Sequence, residues 1–178
     1  KKEIRQEVKR AVLALAEPQR AAESQSVCAM LKSLIEKRQP RYVALFSPLR
    51  DEVDITPLMT QLECRVVLPR VGDGADGTPD MEFFECDAQS LSSGAYGILE
   101  PQRGTQCAAA EIDLMVVPGV AFASDGRRVG RGKGYYDRYL AREGFRAYTV
   151  GVCYSCQLRD DVPAEPHDKR VDEVVVAK

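Results

Sequence analysis

The stretch DLMVVPGVAFASDGRRVGRGKGYYDRYL, residues 113–140, joins a short apolar run to a glycine-rich basic loop and then to a segment of helical composition. The run DLMVVP (113–118) is too short for a buried helix and is rich in strand formers, so it predicts a buried strand. The segment GYYDRYLAREG (134–144) is compatible with a helix. Strand, loop and helix in this order are typical of an α/β domain.

The loop between strand and helix combines glycine with positive charge. It carries four glycines and four basic residues, which are Gly126, Gly130, Gly132, Gly134, Arg127, Arg128, Arg131 and Lys133. Glycine lets backbone N–H groups approach a phosphate closely, and the following helix offers its positive N-terminal end. In an open α/β sheet, ligands bind at the carboxyl ends of the strands. Residues 126–134, named the cradle, are therefore predicted to bind an anion.

Two common nucleotide-binding motifs do not fit the cradle. A Walker A loop requires glycine five positions before Gly132 and Ser or Thr after Lys133, but the chain has Arg127 and Gly134 there. The motif G-x-G-x-x-G fails because Tyr135 stands where the third glycine belongs. The loop alone leaves a solvated basic turn and an anion site as alternatives, and its position after a strand favours the anion site.

Further strands and helices alternate along the chain. Apolar runs predict strands at YVALF (42–46), RVVLP (65–69), TVGVCY (149–154) and EVVVA (173–177). Helices are predicted over residues 1–16, 20–37 and 55–63, with Pro18 ending the first helix. VGDGADGTPD (71–80) predicts a turn, and SLSSGAYGILEPQRGTQ (90–106) a long loop that is a candidate binding segment. Residues 1–178 thus predict a single three-layer α/β domain with a largely parallel central sheet flanked by helices.

Composition narrows the function classes. The net charge of −2 argues against general binding of nucleic acid, and no apolar run approaches the length of a membrane span. The cysteines are scattered, apart from Cys153 and Cys156, and favour reduced thiols in the cytoplasm over disulfides. That pair has the spacing of half a zinc site, but no second C-x-x-C exists. His167 is the only histidine and is expected to lie on the surface.

The string PGVAFASDGRRVGRGKGYYDRYL resembles the signature of the 5-formyltetrahydrofolate cyclo-ligase family. Further matches follow in order along nearly the whole chain, namely KKEIR, DEVDI, LPRV, GAYGILEP and KRVDEVV. The resemblance implies a single α/β domain that converts 5-formyltetrahydrofolate to 5,10-methenyltetrahydrofolate with ATP, releasing ADP and phosphate. The chain departs from the common family pattern at ASDG and DEVDI. The resemblance therefore supports the ATP-binding residues more strongly than the folate-binding residues.

The resemblance also implies site residues. The ATP-binding residues would be Lys1, Lys2, Arg5, Val129, Gly130, Arg131, Gly132, Lys133, Gly134, Tyr135, Tyr136 and Asp137. The folate-binding residues would be Ser47, Glu52, Arg131, Gly132, Tyr135 and Tyr136, with Glu52 suited to the donor-rich edge of a pterin. Asp137 and Asp172 would hold Mg²⁺.

The reaction so implied is a phosphoryl transfer, which proteins catalyse mainly by positioning and by neutralising charge. Lys133 and Arg131 are the predicted catalytic residues. The expected partners are ATP and the folate alone, with no nucleic acid or membrane, and a monomer is expected. Two alternatives remain: a non-hydrolysing binder of phosphorylated ligands, and a sugar-phosphate or coenzyme A enzyme of the same architecture.

Overall fold

The computed structural model describes residues 1–86, 91–94, 97 and 99–178. In this part of the chain the helices are α1 (Lys2–Ala14), α2 (Glu17–Arg38), α3 (Leu58–Gln61) and α4 (Tyr135–Leu140). The strands are β1 (Tyr42–Ala44), β2 (Arg65–Asp73), β3 (Pro79–Glu85), β4 (Leu91–Ser93), β5 (Leu99–Pro101), β6 (Gln106–Cys107), β7 (Leu114–Val117), β8 (Ala121–Phe122), β9 (Arg128–Val129), β10 (Tyr148–Cys153) and β11 (Glu173–Val176). No helix in the described residues is long and apolar enough to cross a membrane.

Seven strands form the central sheet in the order β11-β10-β7-β1-β2-β3-β6. The five predicted strands are the first five in this order, and the four pairings among them are all parallel. Strands β3 and β6 extend the sheet with antiparallel pairings. The expectation of a largely parallel central sheet flanked by helices is therefore confirmed.

Alternating residues of the sheet face two separate cores. On β1, Val43 belongs to an apolar cluster with the buried faces of α1 and α2, whereas Tyr42 and Ala44 belong to a second cluster that contains Tyr139 of α4. Successive side chains of a strand point to opposite faces, so the helices lie on both sides of the sheet. This places helices, sheet and helix in three layers.

Several predicted element boundaries are wrong. Helix α1 ends at Ala14, and Pro18 lies in the first turn of α2, where a missing N–H costs nothing. The helix predicted over 55–63 is one turn. The turn predicted at 71–80 shrinks to a tight hairpin between β2 and β3, with Gly77 at φ 75°. The loop at 90–106 contains the antiparallel pair β4–β5, and its residues 90, 95, 96 and 98 lie outside the described residues.

Candidate active site

A cleft of about 790 Å³ opens at the carboxyl ends of β1, β2 and β7. Its lining residues from the sheet side are Phe46, Ser47, Pro69, Val71, Met81, Pro118 and Gly119. The cradle and the start of α4 form the opposite wall, and Lys1, Arg5, Glu165, His167 and Asp168 close one end. A larger groove of about 1030 Å³ runs along α2 and shares Leu49 and Glu52 with the cleft, but contains no cradle residue.

The first part of the cradle is a hairpin that the sequence did not predict. Strands β8 and β9 pair Ala121 with Val129 and Phe122 with Arg128, so the loop does not follow β7 directly. Gly126 lies in the hairpin turn at φ 85°, where a side chain would collide with the carbonyl of Val171. The cradle residues that line the cleft are therefore Arg128 and residues 130–134.

Two glycines of this part need positive φ. Gly132 has φ 98° and Gly134 has φ 74°, in the region that side chains disfavour. A Cβ on Gly134 would also lie 2.6 Å from a guanidinium nitrogen of Arg138. That guanidinium donates to the carbonyl oxygens of Lys133 (2.7 Å) and Pro79 (3.0 Å). Arg138 thus ties the bend of the cradle to the start of β3.

Helix α1 supplies basic side chains to the cleft. Arg5 Nε donates to the Gly130 carbonyl at 2.7 Å. Lys1 Nζ lies 2.6 Å from Asp168 and 2.9 Å from Glu165. Of the other residues assigned to ATP, Lys2 is exposed outside the cleft, and Val129 is buried as part of β9. The structure therefore brings the side chains of Lys1 and Arg5 to the cleft, but not those of Lys2 and Val129.

The two predicted catalytic residues differ in their surroundings. Within the described part of the chain, the exposed Lys133 ammonium has no hydrogen bond or ion pair. Arg131 instead donates from Nε to Glu52 (2.8 Å) and from its terminal nitrogens to Asp51 (2.7 and 3.2 Å). Burial lowers the pKa of Arg131, but the hydrogen bonds and charges of Asp51 and Glu52 outweigh it and raise the pKa.

Glu52 and Ser47 lie close to the cradle. The Glu52 side chain is 7% exposed, and its second oxygen accepts a bond from the Leu49 N–H at 2.8 Å. The Ser47 hydroxyl donates to the carbonyl of Leu99 at 2.6 Å and so holds β5 against the end of β1. Glu52 thus has the buried, partly satisfied carboxylate expected of a ligand-binding group, while Ser47 lines the cleft with its donor already used.

The tyrosines at the start of α4 both line the cleft. Burial, aided by the charge of Glu52, raises the pKa of Tyr136, so its phenol is neutral at physiological pH. The guanidinium of Arg138 lies 5.8 Å from the ring centre of Tyr135. Both rings can therefore offer apolar surface to a ligand.

The carboxylates predicted to bind metal are not together. Asp137 lines the cleft and accepts bonds from Arg128 (3.0 Å) and from the Lys169 N–H (3.2 Å). Asp172 lies just before β11, at the amino ends of β10 and β11. It accepts hydrogen bonds from the N–H and hydroxyl of Thr149 at 2.7 and 2.8 Å. The structure instead brings Asp168 into the cleft, one residue from the N–H that contacts Asp137.

Asp168 has surroundings suited to a charged carboxylate. Burial raises the pKa of this group, but the hydrogen bonds from Lys1 and from the Glu165 N–H outweigh burial and lower it. Its carboxylate lies within 4.8 Å of ligand atoms of Glu165 and His167. His167 is 73% exposed and contacts Glu165 at 3.2 Å, at the rim of the cleft. Asp137 and Asp168 line the same cleft as the glycine bend, and their carboxylate oxygens are hard ligands of the kind that Mg²⁺ prefers.

Sequence reasoning missed three residues of this site, namely Asp51, Arg138 and Asp168, and it did not assign Arg128 as the partner of Asp137. The available signal for Asp51 was its position beside the predicted ligand Glu52. The motif KRVDEVV drew attention to Asp172, whereas Asp168, which directly precedes the motif, is the aspartate that lines the cleft. The six cysteines are all reduced thiols, and burial raises the pKa of Cys153 to about 12. These thiols are outside the cleft.

Fold and cleft together place the chain among single-domain α/β proteins whose ligand site lies at the carboxyl edge of a parallel sheet, beside a basic glycine loop. Residues 1–177 match the 5-formyltetrahydrofolate cyclo-ligase family, and the chain belongs to that family.

Named relatives cover nearly the full chain. A 5-formyltetrahydrofolate cyclo-ligase of Mycolicibacterium smegmatis is 30% identical over 165 residues, 89% of this chain and 84% of the relative. The solved 5,10-methenyltetrahydrofolate synthetase of Aquifex aeolicus superposes with a TM-score of 0.85 at 36% identity, covering 98% of this chain and 88% of that one. The synthetase of Mycoplasma pneumoniae gives 0.76 at 25% identity, covering 97% and 96%.

Proposed function

We propose that this protein converts 5-formyltetrahydrofolate and ATP to 5,10-methenyltetrahydrofolate, ADP and phosphate. The single observation that carries the proposal is the Lys133 ammonium. It is exposed in a cleft-lining glycine bend and unpaired among the described residues, while the family match spans residues 1–177. A buried carboxylate, Glu52, lines the same cleft and suits the donor-rich edge of a pterin.

The proposed chemistry needs no covalent enzyme intermediate. The formyl oxygen of the folate forms a bond to the terminal phosphorus of ATP, and the bond from that phosphorus to the bridging oxygen of ADP breaks. The neighbouring N10 then attacks the activated formyl carbon, loses its proton, and inorganic phosphate leaves. Catalysis of such a transfer rests on positioning and on neutralising charge.

The cradle supplies that neutralisation in the proposal. Lys133 interacts with the terminal phosphate, and the backbone N–H groups of Gly132 and Gly134 are further donors to it. Arg131 lies between the phosphate and folate sides, because its guanidinium keeps donors beyond the three used by Asp51 and Glu52. Arg5 and Lys1 hold the far end of the nucleotide site.

Magnesium is part of the proposal, with Asp137 and Asp168 as its carboxylate ligands. When bound, the ion would neutralise phosphate charge and orient the phosphates. Lys1 pairs with Asp168 and Arg128 pairs with Asp137, so each carboxylate also has a basic partner within the protein. Asp172 is not a ligand in this proposal, because its carboxylate lies at the amino ends of β10 and β11.

The remaining expectations stay proposals. A cytoplasmic location is supported by the six cysteines, which are all reduced thiols. We also expect a monomer that acts on small molecules, without nucleic acid or membrane as a partner. The alternative of a sugar-phosphate or coenzyme A enzyme finds no support in the family match.

Purified protein with ATP, Mg²⁺ and 5-formyltetrahydrofolate is expected to develop the near-ultraviolet absorbance of the methenyl product. Absence of that absorbance at saturating substrates rejects the proposed function. Replacing ATP with a non-hydrolysable analogue is the control and should give no absorbance change.

A further inference from the structure

The cradle and the β1–α3 loop are joined by one arginine. Arg131 directs its Nε–H to Glu52 and its two terminal nitrogens to the two oxygens of Asp51. The Asp51 side chain is 16% exposed and that of Arg131 is 37% exposed. Paired bonds from one guanidinium to one carboxylate fix the plane and direction of the guanidinium, which a single bond does not.

The loop that carries Asp51 is itself well anchored. The Glu52 N–H donates to the Leu49 carbonyl at 3.0 Å, and the buried Tyr154 hydroxyl donates to the Glu52 carbonyl at 2.9 Å. Arg131, by contrast, stands between Gly130 and Gly132 in a bend with freedom of backbone conformation. Asp51 therefore belongs to the rigid side of the contact, and Arg131 to the adaptable side.

We propose that Asp51 is a positioning residue, which holds Arg131 so that the Glu52 carboxylate keeps a fixed orientation toward the folate. This inference rests on the proposed function. Arg131 donates one hydrogen bond to one Glu52 oxygen, and the Leu49 N–H donates one to the other oxygen. Each carboxylate oxygen accepts more than one hydrogen bond, so both retain acceptor capacity for the substrate.

Without Asp51, the direction of Arg131 is no longer fixed, and Arg131 is the only ionic partner of Glu52 among the described residues. Arg131 could then turn toward bound phosphate, leaving Glu52 buried and poorly compensated. A buried carboxylate that has lost its cation partner is no longer fixed in direction, so it becomes a worse acceptor for a pterin. The loss falls on folate binding rather than on nucleotide binding.

The test is a comparison of Asp51→Asn with the wild-type protein in steady-state kinetics. We expect the KM for 5-formyltetrahydrofolate to rise by about fivefold or more, while the KM for ATP stays within about twofold. Asp51→Glu retains a carboxylate and should recover part of the folate affinity. Asp54→Asn, an exposed aspartate of the same loop whose carboxylate bonds only the Thr56 N–H among the described residues, is the matched control and should keep both constants.

Equal rises in both KM values, or a fall in kcat alone, would assign Asp51 to the phosphate side and overturn the proposal. Unchanged kinetics would show the contact to be incidental, which also overturns it. If the wild-type protein has no turnover, the proposed function fails separately. Direct titration of 5-formyltetrahydrofolate binding to the same variants then decides the role of Asp51, with an unchanged Kd in Asp51→Asn as the contradicting result.

Discussion

Arg128 and Asp137 form an ion pair of 3.0 Å between the β8–β9 hairpin and the first turn of α4. The Arg128 side chain is 4% exposed, and its other terminal nitrogen donates to the Pro118 carbonyl at 3.1 Å. One buried guanidinium therefore joins the end of β7, the cradle and a proposed metal ligand.

Replacing Arg128 should destabilise the fold. Arg128→Met leaves Asp137 and the Pro118 carbonyl without this donor, so the free energy of unfolding should fall by about 2–3 kcal/mol. Denaturant unfolding measures this. Arg170→Met is the control, because Arg170 and Asp125 form an exposed pair, and its effect should stay below about 1 kcal/mol. Equal losses of unfolding free energy in the two variants would contradict the prediction, because the buried Arg128 contacts would then stabilise the fold no more than an exposed ion pair.

Lys133→Ala should separate activity from stability. The ammonium is exposed and unpaired in the described part of the chain, so its removal should leave the Tm nearly unchanged. Loss of a preorganised cation at the transferred phosphate should lower kcat by about 100-fold to 1000-fold. Lys37→Ala, in the last turn of α2, is the control and should have full activity. A variant that unfolds would show the cradle lysine to be structural.

The choice of aspartate can be read from the magnesium dependence. Asp137→Asn and Asp168→Asn should each raise the half-saturating Mg²⁺ concentration by at least about tenfold. Asp172→Asn should leave that concentration unchanged and only reduce stability, because its carboxylate serves Thr149. Activity titrated with Mg²⁺ provides the comparison. A large shift in Asp172→Asn alone would restore the assignment made from the sequence.

Two glycines with nearly equal φ provide a matched pair. Gly134 (φ 74°) lies at the bend of the cradle, whereas Gly77 (φ 75°) lies in the β2–β3 turn with open space around its Cα. Alanine at either site should cost about 1–2 kcal/mol of stability through backbone strain. Only Gly134→Ala should also weaken ATP binding, measured by titration, since its Cβ would crowd Arg138 and displace the bend. Equal loss of ATP affinity in both variants would contradict a local role for the cradle.

The parallel half of the sheet could be predicted from the sequence because a strand buried on both faces is an unbroken apolar run. DLMVVP and TVGVCY are of this kind. Strands β3 and β6 could not, since β3 alternates buried and half-buried residues next to a Gly/Asp turn, and β6 has only two residues. Pro18 was misjudged because proline suits the first turn of a helix as well as a break.

The cradle was visible in the sequence because glycine and cations concentrate in one short segment. The partners of the basic residues that line the cleft were not visible. Asp51 is 80 residues from Arg131, and Asp168 is 167 residues from Lys1. Such contacts depend on which loops meet at the carboxyl edge of the sheet. The β8–β9 hairpin was missed for a related reason, because a pair of two-residue strands carries no periodicity.

The most direct test follows ADP and the methenyl product in the same reaction. With ATP and Mg²⁺ present, ADP should appear only after 5-formyltetrahydrofolate is added, at about one ADP for each methenyl product formed. Lys133→Ala should lose both signals together. ADP release at the same rate without the folate, or methenyl product formed without ADP, would contradict the proposal that the cradle transfers the terminal phosphate of ATP to the formyl oxygen.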